Sequence, residues 1–598
     1  MGKEMVLPQL TRMDHIKSHG TFLIMKCAVN EVIGYSLKRN TDQAHNSSVF
    51  IPEATFKSLE YMSRNSKGVS AAEIERITKA YQTPITGTAL ATVVEFFGIP
   101  YTDNTCLNVF LPPSTSHGDC VYDIGKPKGE LIIPPIVDQT GVVISENEAS
   151  RRSYVEERMT PNINKEVFSD EMIAYAKEYV CKLIKTPGRC VPHSLKDVVN
   201  DQRGKLQIAR NATEMKFETD TSKKVKVSMK TEVALKGGAA RGVTTVTTSH
   251  SLDTGALSRG IKPALKLSSH YVVGSTPQRI AEKVSALANQ CKSMGRSTGE
   301  TDYSKLDESI SHAIRTHLIE PTFTRAFGRD YHEFVNATLE RDKDCTGNVG
   351  AIRIKTGGKN NSGTGLTTDI NCITCPFVVY VAHRKSGMTK DEAYACLGVA
   401  FGDDGLSVGG KPGDGFGELC VSVAASIGLT LKYITHESSA PLYFLGRLYV
   451  SPLDSHASMA LPSKVLQKLP VCIGKAAEHR ADRLRGYYVT EKHVPVISDY
   501  IRAAARAYKI DLTREPEDLE GLRLRDRDLF YKMSHGPYPC EVADEQVLLT
   551  AVCADLSLSE VEVEKLVTQL RAVTTVKDFE HIRVALPPMS GLERFQRQ

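Results

Sequence analysis

Two aspartates between glycines, Gly402-Asp403-Asp404-Gly405, are the residues of this chain whose types and spacing speak most directly of chemistry. Neighbouring carboxylates on a tight turn repel each other. Both stay ionised at neutral pH only against a cation, and a divalent metal is the usual partner. The same tetrapeptide also suits a plain surface turn. Apolar residues lead in from Ala393 to Phe401 and out from Leu406 to Val408, so the pattern predicts a strand, a tight turn and a second strand.

A second pair, Asp302 and Asp307, is spaced five apart. If Asp302 ends a strand and Asp307 begins the next helix, both look into one cleft at different depths. One can then hold metal while the other meets a substrate hydroxyl. Asp307 alone also suits an ordinary helix N-terminus. Downstream, a glycine-rich loop from Gly357 carries Ser362-Gly363 as a mobile hinge and runs into an apolar helix, expected over Ile373 to Ala382. Thr367 and Asn371, four apart, share a helical face. Small hydroxyls and an amide there suit a sugar hydroxyl or a template backbone, although such a loop can equally just cap its helix. Upstream, Lys236-Gly-Gly-Ala-Ala-Arg241 offers a flexible basic loop for triphosphate oxygens, or an exposed basic hairpin.

These residues need a frame. Lys223 to Lys230 alternates lysine with apolar residues and predicts a strand with one basic face. Helices are expected from Ser70, over Gly87–Phe97, over Asp170–Ile184, after Ser194, after Thr276-Pro277, from Asp307 on through Ile310, Ile314, Leu318 and Ile319, and late in the chain with Ser557 or Ser559 as cap. Strands are expected at Phe22–Met25 and Glu31–Tyr35. The basic stretch Arg523–Arg527 reads as a solvated face or an RNA contact. With 598 residues, 41% hydrophobic and 24% charged, the chain has ordinary globular composition. Its net charge of +5 permits a nucleic-acid partner without demanding one. The 14 cysteines form no disulfide or zinc framework, and Cys372 and Cys375 read as helix-packing residues in a reduced protein. No secretory leader and no bilayer-spanning run is expected.

The order of the clusters carries more than any member. Asp302-x4-Asp307 comes first, Ser362-Gly363-x3-Thr367-x3-Asn371 begins 60 residues after Asp302, and Asp403 falls 101 residues after it. This arrangement resembles motifs A, B and C of the palm domain of viral RNA-dependent RNA polymerases. Gly428-Leu-Thr-Leu-Lys432 looks like motif D. Leu442 to Leu453, with Arg447, looks like motif E, the primer-grip hairpin. Glu232, Lys236 and Arg241 fall near the basic motif F, though the Gly-Gly-Ala-Ala spacer departs from its pattern. Ala481–Tyr488 and Pro495–Tyr500 are similar to helices of nodavirus replicases in particular. The likeness covers about residues 50 to 575 and is strongest from 300 to 453.

The resemblance implies an α+β fold, a right hand of fingers, palm and thumb whose antiparallel palm sheet is backed by helices and whose thumb is mostly helical. Residues 1–135 would form an N-terminal region, the possible tail of a capping domain; 136–295 the fingers; 296–453 the palm with a finger insert; 454–598 the thumb. It implies replication of a positive-strand viral RNA by nucleotidyl transfer with two Mg2+ or Mn2+ ions. Asp302 and Asp403 would bridge the metals with Asp404 in support, and Lys432 would assist pyrophosphate departure. Lys236 and Arg241 would draw in the triphosphate. Asp307 and Asn371, with Ser362, Gly363 and Thr367, would read the nucleotide, and Arg447 would grip the primer. Implied partners are template and nascent RNA, rNTPs and further copies of the chain in a membrane-associated complex in the host cytoplasm, at organelle membranes, often mitochondrial. The rival readings are a reverse transcriptase, against which Asp307 argues, and a non-catalytic RNA-binding scaffold, against which the intact carboxylates argue.

Overall fold

The computed structural model describes residues 14–65 in part, residues 93, 96 and 97, and residues 129–586 except 139, 145, 160–163, 202–210, 212–221, 236–238, 351, 474–475 and 514–540. Lys236, the helix expected from Ser70, most of that expected over Gly87–Phe97, and Arg523–Arg527 lie outside the described residues. The fold is mixed helix and sheet.

A four-stranded antiparallel sheet sits at the centre, in the order Val399–Phe401, Asp404–Val408, Thr298–Ser304, Thr430–His436. Alternation sorts its side chains. Tyr303 is buried, and its hydroxyl donates to the Cys375 carbonyl at 3.2 Å, while Asp302 beside it points to solvent. The Tyr303 face packs on helices Asp170–Leu183, Thr367–Lys385 and Phe416–Ser426 in one large core. Across the sheet, helix Pro277–Ser293 lays Ile280, Val284 and Leu287 against Val399, Leu406 and Val408. That helix, expected with the fingers, packs against the central sheet.

Local signals did what their chemistry dictates. The side chains of Ser169, Ser194, Thr276 and Ser559 each accept a backbone N–H at a helix start, and Ser557 instead closes the preceding helix at φ 55°. The alternating lysine strand, Lys224–Met229, buries Val225, Val227 and Met229 and joins a second sheet beside Gly242–Val246. One expectation fails. The helix after Asp307 stops at Ser309, Ile310 is extended, and Ser311 caps a new start at His312. A serine able to accept the Ile314 N–H at 3.2 Å offers the chain a fresh N-terminus, which apolar periodicity alone does not reveal.

The C-terminal part is a helical layer of Ala476–Glu491, Ile497–Ala507, Glu545–Leu556 and Glu560–Ala572 around its own core. Ile132, Ile133, Ile136 and Val137 lie in that core, Gly129–Leu131 pairs with Val471–Ile473, and the Tyr500 hydroxyl donates to the Pro134 carbonyl at 2.6 Å. Residues on both sides of the expected 135/136 boundary thus pack with the C-terminal helices. This strap continues to Val142–Ile144, which pairs with Glu232–Ala234 at the foot of the basic loop.

Candidate active site

The strand pair Val399–Phe401 and Asp404–Val408 closes in a two-residue turn, Gly402-Asp403. Gly402 stands at φ +65°, a conformation the first turn position demands and glycine adopts without strain. Its N–H meets the Cys372 sulfur at 3.0 Å, so the turn rests on the helix behind it, and the two cysteines are packing residues as expected. Thr301 pairs with Gly405 and Asp302 with Lys432, so Asp302, near the end of its strand, stands beside Asp404, which begins the adjacent one.

Their charges feel one another. Burial by the cleft walls, then Asp403, Asp302 and Glu300, push the Asp404 carboxyl up to about 7, although its tip stays open to solvent at the cleft mouth. Among the described residues no three acidic, histidine or cysteine side chains already converge tightly enough to hold an ion. The donor set, the carboxylates of Asp302, Asp403 and Asp404 on one turn and the strand beside it, fits a divalent cation.

A cleft of about 520 Å3 runs from Asp403 and Asp404 to the glycine-rich loop; Asp302 stands beside Asp404 on the next strand and is not among the residues that line it. Asp307 lies within it. Burial raises its carboxyl, while hydrogen bonds from Asn371 and Ser362 pull the other way. The Asn371 Nδ2 donates to Asp307 Oδ1 at 3.0 Å. Thr367 does not face substrate through its hydroxyl, which donates to the carbonyls of Asn361 (3.1 Å) and Thr364 (3.3 Å) and fastens the helix start. Ser362 is tied to the strand after Arg241, since its carbonyl accepts the Thr244 N–H at 2.6 Å. Gly363 stands at φ +115° there, and a Cβ would come within 2.7 Å of the Thr244 oxygen. Arg241 is exposed on the cleft wall, 3.8 Å from Glu232.

Arg447 does not meet the expectation of a primer contact. It is 2% exposed, ion-paired with buried Glu491, and donates to the Ser458 hydroxyl (3.2 Å) and carbonyl (2.6 Å). A guanidinium satisfied on every side within the protein locks the Leu442–Tyr449 hairpin to helix Ala476–Glu491. Lys432 lies within its strand, exposed and opposite Asp302, and does not line the cleft.

Sequence reasoning missed several residues that the fold brings in. Arg158, Lys305 and Lys359 line the cleft, with Arg158 at 3.4 Å from Glu308. Burial lowers Lys359 to about 8. Lys464, 2.8 Å from the Tyr443 hydroxyl, adds a positive field felt by Asp404. Asn360 bonds Asp307 and Asn371. Lys359 and Asn360 sat in the loop already singled out, and no local pattern marked them within it.

No protein-family model matches the chain. It is 28% identical over 401 residues to the RNA-directed RNA polymerase of Striped jack nervous necrosis virus, covering 64% of this chain and 40% of that protein. It is 24% identical to that of Pieris rapae virus (77% and 44% covered) and 22% identical to that of Nodamura virus (80% and 48% covered). The chain thus spans less than half the length of these curated relatives. Among solved structures it is similar to the RNA-dependent RNA polymerase of a human picorbirnavirus, with TM-score 0.50 at 13% identity over 66% of this chain and 81% of that one, a likeness of fold. The likeness to nodavirus polymerases read from the motifs is borne out.

Proposed function

We propose that this chain, similar over most of its length to nodavirus RNA-directed RNA polymerases, is itself an RNA-dependent RNA polymerase that joins rNTPs to an RNA 3′-hydroxyl on an RNA template. One observation carries the reading. Asp403 and Asp404 line one end of a cleft whose other wall holds the hydrogen-bonded Asp307–Asn371 pair, and Asp302 lies beside Asp404 on the adjacent antiparallel strand. Metal-binding and sugar-reading groups thereby face one volume. The same reading makes the central sheet the palm, the 129–138 strap and C-terminal helices the thumb, and the basic loop with its sheet part of the fingers.

Asp302 and Asp403 would hold two Mg2+ or Mn2+ ions, with Asp404 alongside. When bound, the pair supplies charge neutralisation at the triphosphate and a lowered pKa at the attacking 3′-hydroxyl. The chain's own residues do the rest. Arg241, Arg158 and Lys359 offer donors to triphosphate oxygens from the opposite wall. Asp307 accepts the nucleotide's 2′-hydroxyl, and the Asn371 amide donates to the same oxygen, a pairing that a deoxynucleotide leaves unmade. This supports ribonucleotide rather than deoxynucleotide use. Lys432, facing Asp302, stays assigned to pyrophosphate departure in this reading. Oligomeric assembly on host organelle membranes is part of the same proposal; no described helix is long and apolar enough to cross a bilayer.

The test is extension of an RNA primer–template by the purified chain with Mg2+ or Mn2+. Template-directed incorporation of rNTPs over dNTPs is expected; no incorporation with either ion contradicts the reading.

A further inference from the structure

We propose that Asn360, which belongs to none of the motifs above, reads the incoming sugar directly. Its Oδ1 accepts the 3′-hydroxyl of the nucleotide while Asp307 takes the 2′-hydroxyl. The inference rests on the polymerase reading.

Asn360 is 6% exposed and lines the cleft. Its Nδ2 faces three acceptors: Asp307 Oδ1 at 3.2 Å, Asn371 Oδ1 at 3.2 Å and the Thr367 carbonyl at 3.3 Å. That sets the amide's orientation, because the flipped form would press Oδ1 against three oxygens. Oδ1 is thereby left buried with no partner in the protein. Asn361 Oδ1, also on the cleft lining, is buried without a partner too, but its amide is bound to Asp342, whereas that of Asn360 is bound to the Asp307–Asn371 pair, so Asn360 Oδ1 is the acceptor placed for a donor from outside.

The position is also rigid. The Asn360 N–H donates to the Asp307 carbonyl at 2.8 Å. One residue and two residues before it, the carbonyls of Lys359 (2.9 Å) and Gly358 (2.6 Å) accept from buried Arg315, which Asp342 braces at 3.2 Å. A site held this way is ready to bind without reorganising.

Hydrogen counting assigns the roles. A ribonucleotide brings two sugar hydroxyl hydrogens, and each needs an acceptor. Asp307, the reader of the 2′-hydroxyl, supplies one, and Asn360 Oδ1 is the second, left for the 3′-hydroxyl. The Asn371 amide, oriented by Asn360, keeps a hydrogen for the 2′-oxygen.

The experiment is single-nucleotide incorporation on an RNA primer–template with an rNTP, its 2′-deoxy form and its 3′-deoxy form. Wild type is expected to favour the rNTP over both. Asn360→Ala should cut the preference over the 3′-deoxy form about three- to tenfold, the loss of one hydrogen bond, and change the 2′ preference less. Asp307→Ala should do the reverse. Asn360→Ser, small enough for the same space, carries the comparison if the alanine variant does not fold. Equal loss of both preferences in the Asn360 variants would mean that Asn360 merely holds Asp307 and Asn371, and it overturns the inference. So does an unchanged 3′ preference, or a wild type indifferent to the 3′-hydroxyl. A wild type that incorporates nothing is a different result, and it brings down the polymerase reading itself.

Discussion

Asp307 shows how a residue's function depends on partners far away in the chain. It accepts from Asn371, 64 positions on, in a cleft that raises its carboxyl. On the proposed sugar-reading role, Asp307→Ala should reduce the ribo-to-deoxy preference in kcat/KM by tenfold or more while leaving thermal unfolding within about 1 kcal/mol of wild type. Lys359 gives a pH signature. Burial places its ammonium at about 8, below the ordinary lysine value, so the charge is present at pH 7 and lost as pH rises through about 8. KM for the nucleotide should climb between pH 7 and 9, and Lys359→Arg, which stays charged, should flatten that climb. The motif aspartates were legible because each sits in a short local pattern and the patterns recur in a fixed order and spacing. Asn360, Lys359 and Arg158 were not, because an asparagine or lysine in a polar loop looks the same whether it faces water or a cleft wall.

Elements set what residues can do. The glycine-rich loop reaches the strand after Arg241 only because Gly363 adopts φ +115° against Thr244. Gly363→Ala should cost about 1–3 kcal/mol in denaturant unfolding and lower incorporation by shifting Ser362 and Asn360. The Leu442–Tyr449 hairpin was read correctly as a hairpin, yet the role of Arg447 was not, since sequence carries no sign of Glu491 waiting 44 positions away. Arg447→Ala leaves that carboxylate buried without its partner and should cost about 3–5 kcal/mol, read as lost stability before any change in primer affinity. Caps and alternation were the most legible features, being local chemistry: Ser194, Thr276 and Ser559 start helices as expected. The break after Ser309 was hidden because the apolar pattern continues across it.

At the scale of the molecule, order and spacing of three short motifs pointed to nodavirus-like RNA polymerases, and the curated relatives agree, with a solved viral polymerase of similar fold. The course of residues 129–144 was not legible. Their apolar run reads the same whether it packs on fingers or thumb, and only the structure shows it spanning from the C-terminal core to the base of the basic loop. Ile132→Asp would put a charge where the side chain is 0% exposed. It should destabilise the C-terminal layer by at least about 3 kcal/mol, visible as early exposure of that layer to proteolysis or amide exchange.

The central claim is that Asp302 and the Asp403–Asp404 turn form the metal site of a nucleotidyl transferase. Its most direct test is primer extension by Asp403→Asn beside wild type, with Mg2+ and with Mn2+, on protein shown by circular dichroism to keep its fold. The substitution keeps size and removes one charge. Incorporation falling by at least about a thousandfold in a folded protein is the expected result. Extension at the wild-type rate would contradict the account.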